Sequence, residues 1–134
     1  MHVAKWMKPH PHSIKPRDSI HHARQIMEEH RINQLPVVQD GRLVGIVTDR
    51  DLRDAFPSVL ADPTRKAGPD PHHVMVESVM TANVLTLGPG DDIVTAAELM
   101  RRERIGAIPI VDGGRLVGIV TRSDLLGALV TIRR

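Results

Sequence analysis

The segment GIVTDRD at positions 45–51 returns as GIVTRSD at 118–124, 73 positions later. The same offset relates Met7 to Met80, Pro16 to Pro89, Ala23 to Ala96, Met27 to Met100, Pro36 to Pro109 and Asp51 to Asp124. The register holds without a gap from about 6 to 52 and from about 79 to 125. Its longest shared block is GRLVGIVT, at 41–48 and again at 114–121. Self-similarity at a constant offset marks two copies of one supersecondary unit, so any fold proposed for the first must serve the second.

Each copy reads the same way. A short extended segment comes first, HPHSI or NVLTL. A Pro and then Asp18 or Asp91 follow, and that Asp is the expected N-cap of a helix. Apolar residues at Ile20, Ala23, Ile26 and Met27, and at Ile93, Ala96, Ala97, Leu99 and Met100, give the helix one buried face. A strand follows, QLPVV or AIPIV, whose Pro argues for an edge position or a strand end. A glycine turn leads to the second strand, RLVGIVT, and a second helix begins near Arg50 or Ser123. The predicted order is β-α-β-β-α, twice. Each unit has under about 50 ordered residues, too few for a secure core of its own. The expected fold is therefore α+β, two repeats packed with pseudo-twofold symmetry. Repeat 1 spans 1–56, a Pro- and Gly-rich linker 57–78, with a short helical piece around 58–61, and repeat 2 spans 79–134.

Composition removes several functions. The 134 residues include no cysteine, which excludes disulfides and thiolate chemistry. The amino-terminal residues lack the apolar core of a signal peptide, and no apolar run approaches the roughly 20 residues of a membrane helix. A soluble, cytoplasmic protein is expected. A balance of 18 basic against 16 acidic residues does not suggest nucleic acid as a partner. Trp6 and Phe56 are the only residues of the Phe, Trp and Tyr class, so a bound base must lie between aliphatic side chains. The 8 histidines, among them His10, His12, His21–His22 and His72–His73, show no spacing that forces metal ligands to converge, and no metal site is expected. No nucleophile elbow or Gly-rich phosphate loop is present, so no catalytic residue is assigned and no enzyme activity is expected. Arg101, Arg102 and Arg104 read as a solvated helix face.

The repeated Thr and Asp admit two readings. One is a capping box, in which Thr48 or Thr121 caps a helix and Asp51 or Asp124 bonds back. Asp is one methylene shorter than the usual Glu, which weakens that reading as the whole account. The other is a ligand site. A helix start presents free amides and partial positive charge to a phosphate. A Thr hydroxyl can donate to a phosphate oxygen, and a carboxylate one turn on can accept from the vicinal diol of a ribose. One Thr can do both.

The paired ends, each preceded by a Pro-apolar-Val strand and an Ala-containing helix, resemble tandem CBS domains, the cystathionine-β-synthase-type regulatory repeats whose pairs are called Bateman modules. The Trp6–Met7 start and the TDRDLR block also resemble stand-alone bacterial CBS-pair proteins of the acetoin-utilisation type. The resemblance implies binding of adenosine-containing ligands (AMP, ADP, ATP, S-adenosylmethionine, sometimes NAD derivatives) in clefts between the repeats, with no obligatory cofactor. It assigns Asp51 and Asp124 to ribose hydroxyls and Thr48 and Thr121 to ribose or phosphate. Gln34–Leu35 and Ala107–Ile108 would line the base, helped by His12 and by Val84–Leu85. It also implies a flat homodimer formed through helices and a regulated partner outside this chain. The alternative is a structural dimerisation module with no physiological nucleotide. Between Thr and Asp, one copy has Asp49–Arg50 and the other Arg122–Ser123. The extra acid repels an anionic tail, so tighter nucleotide binding is expected at Thr121/Asp124.

Overall fold

The computed structural model describes residues 1–55 and 70–132. The helical piece expected at 58–61 and most of the 57–78 segment lie outside them. The described elements are α1 (Val3–Trp6), β1 (Lys8–Pro9), α2 (Ile20–His30), β2 (Gln34–Gln39), β3 (Arg42–Thr48), α3 (Asp49–Ala55), a 3-10 turn (Val76–Ser78), α4 (Ile93–Glu103), β4 (Ala107–Asp112), β5 (Arg115–Thr121) and α5 (Arg122–Ile132). The α+β class and the duplicated α-β-β-α order follow the sequence pattern. Among the described residues, no helix is long and apolar enough to cross a membrane.

The chain forms two compact units that interleave in sequence. The carboxy-terminal unit comprises Met1–Pro11, Gly41–Leu43 and Leu85–Arg134; the central unit comprises His12–Asp40 and Val44–Val84. In the carboxy-terminal unit β5 is flanked by antiparallel partners. β4 runs along it from Ala107 opposite Thr121 to Asp112 opposite Arg115. β1 pairs Lys8 with Ile119 and Pro9 with Gly118. The core of this unit gathers Val3, Ile93, Ala96, Met100, Ile108, Ile110, Val120 and Ala128. In the central unit β2 neighbours β3. Its core gathers Ile14, Ile20, Ala23, Met27, Leu35, Val37, Val47, Leu52 and Val76. The helix faces named from the apolar spacing point inward except for Ala97, which is exposed, and the buried residues of both cores are aliphatic or methionine.

Local chemistry explains the turns. The hairpin Asp40–Gly41 has φ of 53° and 80°, and Gly113–Gly114 has 60° and 84°. Two successive positive φ values define the two-residue turn whose twist suits antiparallel strands. Helices α2 and α4 end on Arg31 and Arg104 in the left-handed region, each donating its amide to the Met27 or Met100 carbonyl. Pro109 lies inside β4, but its carbonyl accepts from Leu87, so its nitrogen faces away from β5 and no ladder bond is lost. Pro36 makes the matching bond to Ile14.

Three expectations change. The opening strands shrink to single parallel bridges, Ile14 with Val37 and Leu87 with Ile110. The helix caps are Ser19, accepting from His22 N, and Asp92, accepting from Val94 N, rather than Asp18 and Asp91. Asp18 and Asp91 are already engaged, by the Lys15 amide at 3.0 Å and the Gly88 amide at 2.7 Å. Finally, the 73-residue correspondence continues back to the first residues. The Val3 amide donates to the Asp91 carbonyl and the Val76 amide to the Asp18 carbonyl, each at 2.8 Å, and both valines are fully buried.

Truncating Ile110, fully buried among these aliphatic side chains, should cost about 2–5 kcal/mol as Ile110→Ala, read by denaturant unfolding. Asp92 supplies a pH test. The hydrogen bond from the Val94 amide, reinforced by the amino-terminal ammonium, holds its carboxyl below the ordinary 3.8. A depressed folded value means the cap stabilises above the unfolded value and is lost as pH falls through the folded one. Melting curves of Asp92→Asn and the unmodified chain should therefore stand apart above about pH 4 and draw together as the pH falls further.

Candidate functional site

Thr48 is the last residue of β3 and Thr121 the last of β5, and a helix begins at the next residue in each case. A helix that starts this abruptly leaves its first amides without partners in the helix. In both copies a carbonyl at the same repeat position supplies one: Asn33 accepts from Asp49 N at 2.8 Å, and Gly106 accepts from Arg122 N at 3.2 Å. The Thr and Asp side chains handle the rest, and here the copies differ.

In the central unit the box is reciprocal. Thr48 N donates to Asp51 Oδ2 at 2.8 Å, and Asp51 N donates to Thr48 Oγ1 at 3.0 Å. The short Asp side chain closes the box after all, so the missing methylene does not argue against capping. In the carboxy-terminal unit Thr121 N again donates to Asp124 Oδ2 at 2.8 Å. There, however, the Thr121 hydroxyl turns and donates to the same Oδ2 at 3.0 Å. The other carboxylate oxygen, Oδ1, accepts from Lys8 Nζ at 2.6 Å. Lys8 Nζ also lies 3.4 Å from Thr121 Oγ1. Asp124 is only 12% exposed, whereas Lys8 is 58% exposed.

The other residues singled out from the sequence fall as follows. Ala107 stands directly across the ladder from Thr121, and Ile108 across from Val120. Gln34 and Leu35 open β2 as Ala107 and Ile108 open β4. The Leu35 and Ile108 side chains are fully buried in their own cores, which leaves only their main chain free for an outside partner. Arg50 is exposed and ion-paired with Asp54, and Asp49 is paired with Arg53 at 3.2 Å. The extra acid of this copy is thus met by its own helix. Arg122 and Ser123 are exposed, and the Arg122 guanidinium lies over Gly106. His12 is exposed and stacks on His30, ring centroids 3.7 Å apart. Leu85 is exposed at the start of a carboxy-terminal-unit segment, and Val84, half-buried, ends the central one.

Lys8 was not among the residues the sequence suggested, since it lies outside both Thr–Asp motifs. Its one trace is a break in the repeat: the residue at the same register in the other copy is Thr81. Arg101, Arg102 and Arg104 are exposed as expected. Among the described residues, no group of three or more His, Cys, Asp or Glu could hold a metal ion. An open groove of about 350 Å³ in the central unit, lined by Lys15, Arg17, Gln39, Asp40 and Glu77 among others, lies at the far end of β2 from Gln34 and holds none of the candidate residues.

A family model of the CBS domain matches residues 3–58 and again residues 76–131. The chain belongs to the CBS-domain family. This CBS pair is 40% identical over 113 residues to a CBS domain-containing protein of Dictyostelium discoideum, covering 82% of this chain and 78% of that one. It superposes on CBSX2 in complex with AMP with a TM-score of 0.83 and 30% identity, covering 99% of this chain and 98% of that chain. CBSX2 is a CBS-pair protein of Arabidopsis thaliana. A Vibrio cholerae structure described as an acetoin utilization protein (AcuB) also superposes with a TM-score of 0.83, at 28% identity, over 99% of this chain and 93% of that one.

The two caps should respond differently to truncation. Thr48→Ala removes the acceptor of the Asp51 amide and should cost about 1 kcal/mol of unfolding free energy. The Thr121 hydroxyl accepts no helix amide, so Thr121→Ala should cost clearly less in the same denaturant titration.

Proposed function

We propose that this chain is a ligand-sensing regulatory module that binds an adenosine-containing nucleotide (AMP, ADP, ATP or S-adenosylmethionine) through its two Thr–Asp corners. The observation that carries this reading is the pair of strand-to-helix corners at Thr48/Asp51 and Thr121/Asp124, each with a carboxylate held one turn into a helix start. Asp51 and Asp124 take ribose hydroxyls, and Thr48 and Thr121 contact ribose or phosphate. The main chain at Gln34–Leu35 and Ala107–Ile108 lines the base, with His12, Val84 and Leu85 beside it; Arg50, Arg122 and Ser123 sit where a phosphate would end. AMP in the CBSX2 complex supports the ligand class. Repeat 1 is taken as 1–56, the linker as 57–78 and repeat 2 as 79–134. The module works in the cytoplasm without catalytic residues, obligatory cofactor or metal, and its regulated partner is another protein.

The assembly proposed is a homodimer. On α5, Leu126 and Leu129 are each 62% exposed, Val130 57% and Ile132 58%. Residues three and four apart share one helix face. A purely structural dimerisation module is the second reading, favoured by the reciprocal Thr48–Asp51 cap, which needs no ligand to explain it.

A thermal-shift panel of AMP, ADP, ATP, S-adenosylmethionine and NADH separates the two. A ligand present at 100 times its dissociation constant should stabilise the chain by about 2.7 kcal/mol; no shift with any member supports the structural reading. Calorimetry should show Asp124→Ala weakening binding more than Asp51→Ala, and the opposite order would reverse the site ranking. Light scattering should report a dimer for the unmodified chain and a monomer for Leu126→Lys/Leu129→Lys.

A further inference from the structure

The two copies are built alike around their Thr–Asp corners and part company at residue 8. Lys8 pairs with Ile119, and Thr81, its counterpart at the 73-residue offset, pairs with Ile46. Met7 lies against Gly118 as Met80 lies against Gly45. Position 8 and position 81 therefore flank the same point of their respective motif strands. Only at position 8 does an ammonium stand there, 2.6 Å from Asp124 Oδ1. Among the described residues, no cation lies within ion-pair distance of Asp51.

The two oxygens of Asp124 have separate duties. Oδ2 accepts from the Thr121 amide and hydroxyl and belongs to the helix cap. Oδ1 is the oxygen left to meet a ligand, and Lys8 holds it. The carboxylate is enclosed and the lysine is largely exposed, so the lysine is the partner that can move aside.

We propose that Lys8 is a specificity residue that makes the Thr121/Asp124 site select phosphorylated nucleosides over unphosphorylated ones. The inference rests on the nucleotide reading above. Oδ2 already accepts two hydrogen bonds, so a ribose diol that brings both hydroxyls to Oδ1 displaces the ammonium from a charge-assisted hydrogen bond. An uncharged nucleoside gives the ammonium nothing in exchange. A nucleotide carries a phosphate, for which a lysine is a compact point charge. Pairing of β1 with β5 keeps the lysine's backbone beside the corner, so the freed ammonium stays within reach. Specificity is a difference of affinities, and Lys8 acts on both sides of it by opposing the neutral ligand and favouring the anionic one. Thr81 does neither at the Thr48/Asp51 site.

The test is calorimetric titration of AMP and of adenosine into three proteins: Asp51→Ala, which leaves the Thr121/Asp124 site to report, and the same variant carrying Lys8→Thr or Lys8→Arg. Lys8→Thr installs the residue of the other copy. If Asp51→Ala unfolds by circular dichroism, Asp51→Asn replaces it and keeps an acceptor for the cap. The preference for AMP over adenosine should fall about ten-fold with Lys8→Thr, the scale of a hydrogen bond to a charged group, and be retained with Lys8→Arg. An unchanged preference in Lys8→Thr, or an Arg variant that behaves like the Thr variant, overturns the role of Lys8 and leaves the nucleotide reading intact. Binding that Asp51→Ala and Asp51→Asn abolish, with Asp124→Ala unaffected, also removes Lys8 alone. No binding of AMP or of any other ligand of the panel by the unmodified chain removes both.

Discussion

The close approach of a short leading segment to a glycine in the motif strand is the contact on which both units depend. At Gly45 a Cβ would come within 2.9 Å of the Thr81 carbonyl, and at Gly118 within 3.1 Å of the Lys8 carbonyl. Only hydrogen at these positions lets the segments containing Met80–Thr81 and Met7–Lys8 lie flush on β3 and β5. Each leading segment then joins the compact unit that carries the other copy's motif, and places Val3 or Val76 in its core. Among the described residues no polar or charged residue is buried in these cores, so the fold draws on area burial rather than on buried polar networks.

On the proposed reading, the corner where a strand becomes a helix serves structure and binding with the same atoms. A helix start needs acceptors for its amides, and Thr with Asp three residues on supplies them. That need fixes the carboxylate within one turn of the helix dipole, where it can also accept from a diol. Capping and ligand binding are therefore not rivals at Asp51 and Asp124. One oxygen of each carboxylate holds the helix; the other is the part that function can use.

Two copies that satisfy the same folding rules need not have the same electrostatics. Asp49 with Arg53 and Arg50 with Asp54 cancel along α3, which leaves the Asp51 carboxylate as the excess charge of that helix start. At the other corner Lys8 and Arg122 are two cations against the single carboxylate of Asp124. The difference arises at exposed positions, where side chains can vary without cost to packing.

The repeat, the class of fold, the buried faces of α2 and α4 and both turns were legible in the sequence. Each rests on a local rule: a fixed offset, a 3.6-residue period, or paired Asp-Gly and Gly-Gly residues with positive φ. So were Thr48, Asp51, Thr121 and Asp124, because duplication separates them from chance. The caps at Ser19 and Asp92 were missed by one residue, since Asp18 and Asp91 are equally good caps until the Lys15 and Gly88 amides claim them. Lys8 was beyond reach for a different reason. It stands 116 positions from Asp124, and its one mark in the sequence, the break in the repeat against Thr81, points to no partner. Sequence alone determined which residues stand at the two strand-to-helix corners, because capping and periodicity act over a few residues. Only the tertiary structure decided which carboxylate already has a partner, because that depends on which strand the first segment of the chain lies against.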